Sequence, residues 1–415
     1  MQIVQIQCRL ITILIACAFA WKCHGGDWPQ ILGPNRNGAA VGETLPDSWK
    51  DDGPAVVWSH EVGSGFAGPV VAGDRVIAFH RVEDNERVEA LSASDGKQLW
   101  RADFVASYRG TINPDDGPRC TPTIAGDAVY VYGAAGDLHC IGLTDGKKRW
   151  SRAALEDYPA PASFFGAGSS PIVIGDAVLV NVGGRDGAGI VAFSTKTGKT
   201  LWKSGDEQAS YSSPTTIDIE GKPHGLFVTR YNALIVNPAD GKIMARLPFG
   251  QRGPTVNAAT PLVIDGKIFL TASYGIGAAL VKPAGDRLEP VWESDDAMSS
   301  QYNTPVHHDG NLYGIHGRED IGEASLRCID ALTGKTRWSE DGFGVAHIIR
   351  AGDKLLITKI DGELILARAT VQRHTPLARA RPFKGTVRAM PALADGHLFA
   401  RDDKLLKCIA VGEKE

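Results

Sequence analysis

The sequence predicts an all-β fold, an eight-bladed β-propeller of four-stranded blades with seven blades as the alternative. Three observations lead to this prediction. A short motif with a Gly-Asp turn recurs eight times, roughly every 45 residues. A second motif, which ends in Trp, follows most of its copies. No segment after the first 25 residues carries a sustained helical period. Four short strands per repeat of this length are typical of a propeller blade.

The first motif supplies two strands of each predicted blade. It reads TPTIAGDAV from residue 121 and SPIVIGDAV from residue 170. Further copies start at residues 68, 213, 260, 304, 347 and 390. Each copy runs through an apolar stretch to a turn with Gly and then into an alternating apolar strand. Alternation and short Gly turns indicate a β-hairpin.

The second motif supplies the other two strands and a tryptophan. It reads DGKQLW, DGKKRW, TGKTLW and TGKTRW in four copies. The Gly accepts the positive φ of a tight hairpin, and the Trp is a large apolar side chain suited to wedge between neighbouring blades. Ala245 stands where the fourth copy should have its Trp, so that contact must be weaker or filled from elsewhere. The predicted wedges are Trp58, Trp100, Trp150, Trp202, Trp292 and Trp338.

The Gly-Lys-Thr triplets at 198–200 and 334–336 imitate the end of a phosphate-binding loop. That loop requires a Gly five residues earlier and a helix afterwards. Phe193 and Ile329 stand at the required positions, and a strand pattern follows. The triplets are therefore interpreted as parts of hairpins, and no nucleotide site is predicted.

The ends of the repeat predict how the ring closes. The last copy lacks its fourth, Trp-bearing strand, and a spare strand with Trp58 precedes the first copy at residues 55–62. An N-terminal strand that completes the last blade would remove two open sheet edges. The propeller is therefore placed at residues 55–411, after a lead-in at 26–54 and before a tail at 412–415.

Residues 1–25 carry the pattern of a signal peptide. An apolar run of twelve residues follows Arg9, which is too short to span a bilayer. The letters LIAC resemble a lipoprotein box, which would place a lipid on Cys17, and a cleaved signal without lipid is the other possibility. The prediction is export to the periplasm or cell envelope, with no transmembrane span.

Composition and cysteine usage narrow the class of protein. Hydrophobic residues make up 43% and charged residues 22% of 415, and the net charge is −4. This balance is typical of a globular protein and gives no basis for nucleic acid as a partner. Cys140, Cys328 and Cys408 occupy the same repeat position, so they lie in different blades and cannot all pair with each other. They are interpreted as small buried apolar residues, and a monomer is expected.

The two motifs together resemble the pyrroloquinoline quinone (PQQ)-like β-propeller repeat over about residues 55–411. The lead-in DWPQILGPNRNG at 27–38 is similar to that of bacterial proteins with this repeat. The superfamily includes quinoprotein alcohol dehydrogenases and the non-enzymatic, BamB-like outer-membrane assembly lipoprotein. The resemblance therefore implies either a PQQ-dependent alcohol or sugar dehydrogenase or a scaffold for envelope proteins, and fold alone does not choose between them.

The resemblance to the dehydrogenases implies PQQ and Ca²⁺ in the propeller mouth, often with a disulfide between adjacent cysteines. This sequence has no adjacent cysteines. Asn113, Asp115 and Asp116 could offer oxygens to a cation, but their spacing departs from a calcium loop and a solvated turn is the preferred interpretation. No cofactor and no catalytic residue are therefore predicted, and PQQ with Ca²⁺ belongs to the alternative.

Residues just before each innermost strand should surround one end of the central channel. Such a polar collar is a candidate mouth for a small ligand or an envelope protein, with a solvated rim as the alternative. The favoured prediction is an exported, non-catalytic binding scaffold. The collar contains Arg119, Ser169, Tyr211, Ser212, Asn257, Tyr302, Asn303, His347 and Arg388.

Overall fold

The computed structural model describes residues 26–161 and 163–412. The predicted signal peptide, including Cys17, and residues 413–415 of the predicted tail lie outside the described residues. The described part is almost entirely β-structure, with thirty-two strands and one four-residue helix. The first strand, β1 (Val56–Glu61), follows the lead-in. The remaining strands fall into consecutive groups of four, here called units, except that the last group has three.

Units 1 to 4 contain β2 to β17. Unit 1 has β2 (Val70–Ala72), β3 (Arg75–Val82), β4 (Asn85–Ser92) and β5 (Gln98–Val105). Unit 2 has β6 (Thr123–Ala125), β7 (Ala128–Tyr132), β8 (Asp137–Gly142) and β9 (Lys148–Ala153), with helix α1 (Ala154–Asp157) after it. Unit 3 has β10 (Ile172–Ile174), β11 (Ala177–Asn181), β12 (Ile190–Ser194) and β13 (Thr200–Ser204). Unit 4 has β14 (Thr215–Ile219), β15 (Lys222–Val228), β16 (Asn232–Val236) and β17 (Ile243–Pro248).

Units 5 to 8 contain the remaining strands. Unit 5 has β18 (Leu262–Ile264), β19 (Lys267–Ala272), β20 (Gly277–Ala284) and β21 (Arg287–Ser294). Unit 6 has β22 (Val306–His308), β23 (Asn311–Arg318), β24 (Glu323–Asp330) and β25 (Thr336–Glu340). Unit 7 has β26 (Ala346–Ala351), β27 (Lys354–Lys359), β28 (Leu364–Arg368) and β29 (Thr375–Ala380). Unit 8 has β30 (Ala392–Ala394), β31 (His397–Arg401) and β32 (Leu405–Ala410).

Strand β1 completes unit 8, as the sequence predicts. It pairs antiparallel with β32, and Trp58 lies opposite Cys408. Within each unit the strands follow chain order and are antiparallel. The first strands of neighbouring units touch, as β2 does with both β30 and β6, so these strands lie nearest the central axis. The predicted propeller arrangement, closed by its N-terminal strand, is confirmed.

The apolar core lies between neighbouring units all around the ring. Buried side chains form clusters that combine two or three adjacent units, such as Phe79 of unit 1 with Val129 of unit 2. This arrangement follows from the strand pattern, because both faces of a central sheet are covered by other sheets. Cys140, Cys328 and Cys408 belong to three different clusters, and each is a free, buried thiol.

Tryptophans join six of the eight units in the described residues to the unit that follows. Trp150 of unit 2 donates its Nε1–H to the carbonyl of Thr195 in unit 3 at 2.9 Å, and its ring lies against Gly198. Trp58, Trp100, Trp202, Trp292 and Trp338 make the equivalent hydrogen bond to the following unit. Each ring therefore covers apolar surface and supplies a donor to a carbonyl of the next turn.

Units 4 and 5 meet differently, because Ala245 occupies the tryptophan position. Here β17 pairs in parallel with β21 through Arg246 and Arg287, and the two units form one eight-stranded sheet. Ala245 packs with Leu288 in the same apolar cluster. The other sheets in the described residues have four strands each. The count of eight blades stays an interpretation that treats the halves of this sheet as two blades.

Candidate functional site

The two ends of the ring carry different loops and turns. Successive strands of a unit alternate in direction, so the loops before the innermost strands lie at one end, here called the mouth. The Gly-Asp turns and the Gly-Lys turns lie at the opposite end. The collar residues predicted from the sequence all precede or begin innermost strands, which places them at the mouth.

The lead-in crosses the channel from the end opposite the mouth. Trp28 is buried and exchanges two backbone hydrogen bonds with Val71 of unit 1. The carbonyl of Pro29 accepts from Ile124 of unit 2 at 2.7 Å. The segment leaves the channel at unit 7, where Arg350 donates to the carbonyl of Gly38. These contacts fix the lead-in to both sides of the ring.

Arg36 anchors the lead-in inside the channel. Its side chain is 2% exposed, and its two terminal nitrogens donate to the carbonyls of Pro171 and Pro214, at 2.5 and 2.8 Å. A third hydrogen bond reaches Thr123 at 3.2 Å. One guanidinium therefore joins units 2, 3 and 4. Burial lowers the pKa of Arg36 to about 9.

Above the lead-in, the mouth opens into a cavity of 440 Å³, here called the mouth cavity. Ile31 of the lead-in contributes to its lining, so the cavity has a floor and the channel is not an open tunnel. The volume falls within the range of small-molecule pockets, about 300–1,000 Å³. Five aromatic side chains line the mouth cavity, namely Phe66, Phe165, Tyr211, Tyr274 and Tyr302.

Two arginines stand beside Phe66 in the mouth cavity. The guanidinium of Arg119 lies 5.3 Å from the centre of the Phe66 ring, and that of Arg388 lies 5.7 Å from it. Arg388 forms an ion pair with Glu319, which also accepts a hydrogen bond from the Tyr302 hydroxyl at 2.8 Å. Burial and the neighbouring Glu319 raise the pKa of Tyr302 well above its usual value, so the phenol stays protonated.

The imidazole of His347 is held in the wall of the mouth cavity by a hydrogen bond. Its Nε2 lies 2.8 Å from the carbonyl of Arg388 and therefore carries a proton. Burial lowers the pKa of His347, which keeps the imidazole neutral. Of the collar residues predicted from the sequence, Arg119, Tyr211, Tyr302, His347 and Arg388 line the mouth cavity.

The other collar residues lie behind the wall and join units. Ser169 donates to the carbonyl of Ser212 at 2.8 Å. The amide of Asn257 donates to the carbonyl of Thr229 at 2.9 Å, and that of Asn303 donates to the carbonyl of Ala346 at the same distance. All three side chains are buried. The structure therefore places them as connections between loops and strands beneath the collar.

The side-chain oxygens of the acidic loop at residues 113–117 accept hydrogen bonds from nearby backbone N–H groups. Asp115 accepts hydrogen bonds from the backbone of Gly65 and Gly117, at 3.0 and 2.8 Å. Asn113 accepts from the backbone of Asp115, and Asp116 from Gly110. Across residues 26–161 and 163–412, no group of three or more His, Cys, Asp or Glu side chains is placed to hold a metal ion.

Several lining residues were missed from the sequence. Phe165 stands in the irregular loop before β10 but well ahead of that strand, and Glu319 stands in the loop between β23 and β24, so neither lies directly beside an innermost strand. Tyr274 lies between β19 and β20 at a φ of 66°. Phe66 could have been found, since it stands two residues before the first copy of the strand motif. Ile31 carried no signal, because nothing local shows that the lead-in enters the channel.

The ring of antiparallel units, closed by its N-terminal strand, defines a β-propeller, and its repeat places it in the PQQ-like class. A family model described as outer membrane protein assembly factor BamB matches residues 48–114 and 84–340, more than half of the chain. The chain belongs to this family.

The individual relatives include two BamB proteins and one alcohol dehydrogenase. Outer membrane protein assembly factor BamB of Burkholderia pseudomallei is 25% identical over 325 residues, which cover 73% of this chain and 76% of the relative. A quinohemoprotein alcohol dehydrogenase, ADH IIB of Pseudomonas putida, is 31% identical over 136 residues, which cover 31% of this chain and 19% of the dehydrogenase. A third relative, BamB of Alkalilimnicola ehrlichii, is 30% identical over 21% of this chain and 22% of its own length. The chain thus spans about a fifth of the length of the last two relatives.

Solved structures share the fold. BamB from Moraxella catarrhalis superposes with a TM-score of 0.63 at 17% identity, covering 86% of this chain and 97% of that structure. Quinohemoprotein alcohol dehydrogenase from Comamonas testosteroni gives 0.65 at 14% identity, covering 94% of this chain and 81% of the other. At these identities the likeness establishes the architecture alone.

Proposed function

We propose that this chain is an exported, non-catalytic scaffold of the cell envelope that binds an envelope protein with its mouth face. The observation that carries the proposal is a pair of exposed apolar side chains beside the mouth cavity. Ile112 is 62% exposed and Ile321 55% exposed. Each stands next to a residue that lines the cavity, namely Asn113 and Asp320. Exposed apolar side chains beside a recessed polar mouth could serve as contact points for a protein partner, which supports this use of the mouth face.

The loop that carries Ile112 is held by a buried cation. The guanidinium of Arg81 donates to the carbonyls of Tyr108 at 2.8 Å, Ala106 at 3.1 Å and Asp116 at 3.2 Å. A loop that is ordered before binding loses less entropy when a partner docks. This contact therefore supports a preformed docking surface around Ile112.

The loop that carries Ile321 is also fixed by side chains. Gln301 accepts a hydrogen bond from the backbone of Glu319 at 2.9 Å and donates to Asp320 at 3.0 Å. Arg318 forms an ion pair with Asp320. Both loops therefore present their isoleucines from anchored backbones.

Export and location belong to the same proposal. The family is named for assembly of outer membrane proteins, and residues 1–25 have the composition of a signal peptide. In the described part of the chain, no helix is long and apolar enough to cross a membrane. We propose that the mature chain is a monomer in the periplasm or cell envelope and that a lipid on Cys17 anchors it.

Capture of envelope proteins by the tagged mature chain tests this function. The double variant Ile112→Asp with Ile321→Asp should lose the captured partner, because two charges would enter an apolar contact. Leu332→Asp is the matched control, since Leu332 is 54% exposed but lies in a turn at the opposite end of the ring. Equal capture by all three proteins would show that the partner does not bind at the mouth face. If the parent protein captures no envelope protein, the scaffold function itself is contradicted.

The likeness to a quinohemoprotein alcohol dehydrogenase keeps a second function open. The mouth residues do not fit PQQ with Ca²⁺ well. The candidate oxygens of Asn113, Asp115 and Asp116 serve backbone N–H groups, and no tryptophan is among the described residues that line the cavity. Titration with PQQ and Ca²⁺, followed by alcohol-dependent dye reduction, tests this alternative. Binding with turnover would establish the dehydrogenase.

A further inference from the structure

Five Phe and Tyr side chains line the mouth cavity, and one of them is held in an unfavourable backbone conformation. Tyr274 has a φ of 66°, in the left-handed region that bulky residues rarely adopt. Its ring is fixed by the guanidinium of Arg318, 4.2 Å from its centre, and its hydroxyl accepts a hydrogen bond from Gln301 at 3.1 Å. Backbone strain of this kind costs about 1–3 kcal/mol and is concentrated at binding sites.

The charges around the mouth cavity cancel. Arg119 and Arg388 are matched by Glu319 and Asp320. The cations are also paired individually, since Arg388 pairs with Glu319 and Arg119 lies 3.3 Å from Asp115. A charged ligand would therefore find no excess of the opposite charge in the lining. The electrostatics favour a neutral ligand.

The lining still offers hydrogen bonds of both kinds. The hydroxyl of Tyr211 accepts from the backbone of Phe165 at 2.8 Å, and an O–H remains that it can donate. Asp320 has lone pairs beyond its bonds with Gln301 and Arg318. Donors, acceptors and apolar rings therefore line the same small space.

We infer that the mouth cavity binds a neutral saccharide unit. A sugar ring presents C–H faces to aromatic rings and hydroxyls that both donate and accept, which is the combination that this lining offers. The floor formed by Ile31 admits the end of a glycan but does not let a continuous chain pass through. The inference rests on the proposed use of the mouth for binding. It assigns the saccharide to the mouth cavity, whereas the proposed protein partner contacts Ile112 and Ile321 on the rim.

The test is titration of the full mature protein with cellobiose, maltose and N,N′-diacetylchitobiose, followed by calorimetry and by saturation transfer to sugar protons. Glucuronate and benzoate are the charged probes. At least one neutral sugar should bind with a millimolar or lower Kd, and the two anions should bind more weakly. The inference is overturned if none of the three neutral sugars binds with a millimolar or lower Kd. It is also overturned if glucuronate or benzoate binds more tightly than every neutral sugar.

Two alanine variants locate the site, a third alanine variant is the control, and a phenylalanine variant tests whether the loss comes from the missing ring. Tyr274→Ala and Tyr211→Ala should each weaken sugar binding by roughly tenfold, about 1.4 kcal/mol. Tyr158→Ala should leave it unchanged, because Tyr158 is a half-buried tyrosine that packs on Phe193 outside the cavity. Tyr274→Phe keeps the ring and should retain most of the affinity, which guards against a misfolded alanine variant. Sugar binding that survives both alanine variants would contradict the assignment.

The rim variant separates this inference from the proposed scaffold function. Ile112→Asp with Ile321→Asp should abolish protein capture and leave sugar affinity unchanged. If sugar binding fails while capture of the partner depends on the rim, the saccharide site is wrong and the scaffold stands. If capture fails while a neutral sugar binds at Tyr274, the scaffold is wrong and the saccharide site stands.

Discussion

The indole of Trp100 lies against Gly146 in the turn of the next unit, and a Cβ on that glycine would stand 2.6 Å from Cε3 of the ring. The glycine also has a φ of 67°. The same contact joins Trp58 to Gly96 and Trp150 to Gly198. Each turn therefore needs glycine for two independent reasons, the backbone conformation and the space taken by the neighbouring ring.

Gly146→Ala should destabilise the protein by about 2–4 kcal/mol, because strain in the left-handed region and the clash with Trp100 add. Gly175→Ala is the matched control. Gly175 has a φ of 60° in a turn with no atom within 4 Å of a built Cβ, so it should lose only about 1–2 kcal/mol. Urea unfolding of both variants measures the difference. Equal losses would show that the tryptophan contact contributes nothing.

Restoring the missing tryptophan should damage the junction between units 4 and 5. Ala245→Trp would place a large ring where β17 and β21 already pair, and overpacking of this kind costs about 1–3 kcal/mol. Ala378→Trp is the comparison, since Ala378 holds the same position opposite Leu366 in unit 7, at the outer edge of a four-stranded sheet. We expect a smaller loss of thermal stability there. A stabilised Ala245→Trp protein would contradict the proposed role of the direct strand pairing.

Stability should fall as pH rises through neutrality because of Glu86. Burial raises its pKa to about 7, although it accepts a hydrogen bond from the backbone of Ala134 at 2.8 Å, and nearby Asp137 raises the pKa further while Arg81 and Arg119 oppose this effect. The folded protein then holds a proton that the unfolded chain releases near pH 4.5. The stabilisation is complete below pH 4.5 and is lost as pH rises through 7.

Glu86→Gln should remove this pH dependence. At pH 8 the variant should be more stable than the parent by up to about 3 kcal/mol, since burial no longer opposes a charge. At pH 4.5 the two should be similar. Denaturant unfolding at both pH values measures the change, with Glu156→Gln at an exposed position as the control. If Glu86→Gln loses as much stability as the parent protein between pH 4.5 and pH 8, titratable groups other than Glu86 cause the pH dependence.

Arg36→Lys should loosen the lead-in. Lysine keeps the buried charge but cannot reach the carbonyls of Pro171 and Pro214 with a planar pair of donors. We expect a loss of about 2–4 kcal/mol from the unpaired buried carbonyls. Limited proteolysis should then cut within residues 26–40. Arg101→Lys, at an exposed position, is the control and should change neither measurement.

Most of the fold could be predicted from the repeat, because each motif specifies a structure formed by residues close together in the sequence. The turn glycines, the alternating strands and the tryptophans recur in frame, and even the closing strand could be placed from the spare Trp58. The join between units 4 and 5 could not be predicted in detail. Ala245 showed that a wedge was missing, but only the contact of Arg246 with Arg287 shows what replaces it.

The mouth was predicted less completely for a physical reason. Position in the repeat identified five lining residues, because they stand beside innermost strands: Arg119, Tyr211, Tyr302, His347 and Arg388. It also selected Asn257 and Asn303, since polar residues at such positions can equally face backbone carbonyls behind the wall. Phe165 and Tyr274 lie in irregular loops, where no period relates sequence to position in space.

The pairing of β1 with β32 ties the two ends of the polypeptide together in one sheet. A chain that emerges in order from a ribosome or a secretion channel therefore remains an open arc until residues 405–410 arrive. Until then the edge of β1 and the edge of the last completed sheet are both available to other strands. Closure of the ring therefore has to wait for the last strand, and a chaperone that shields β1 would act before that point.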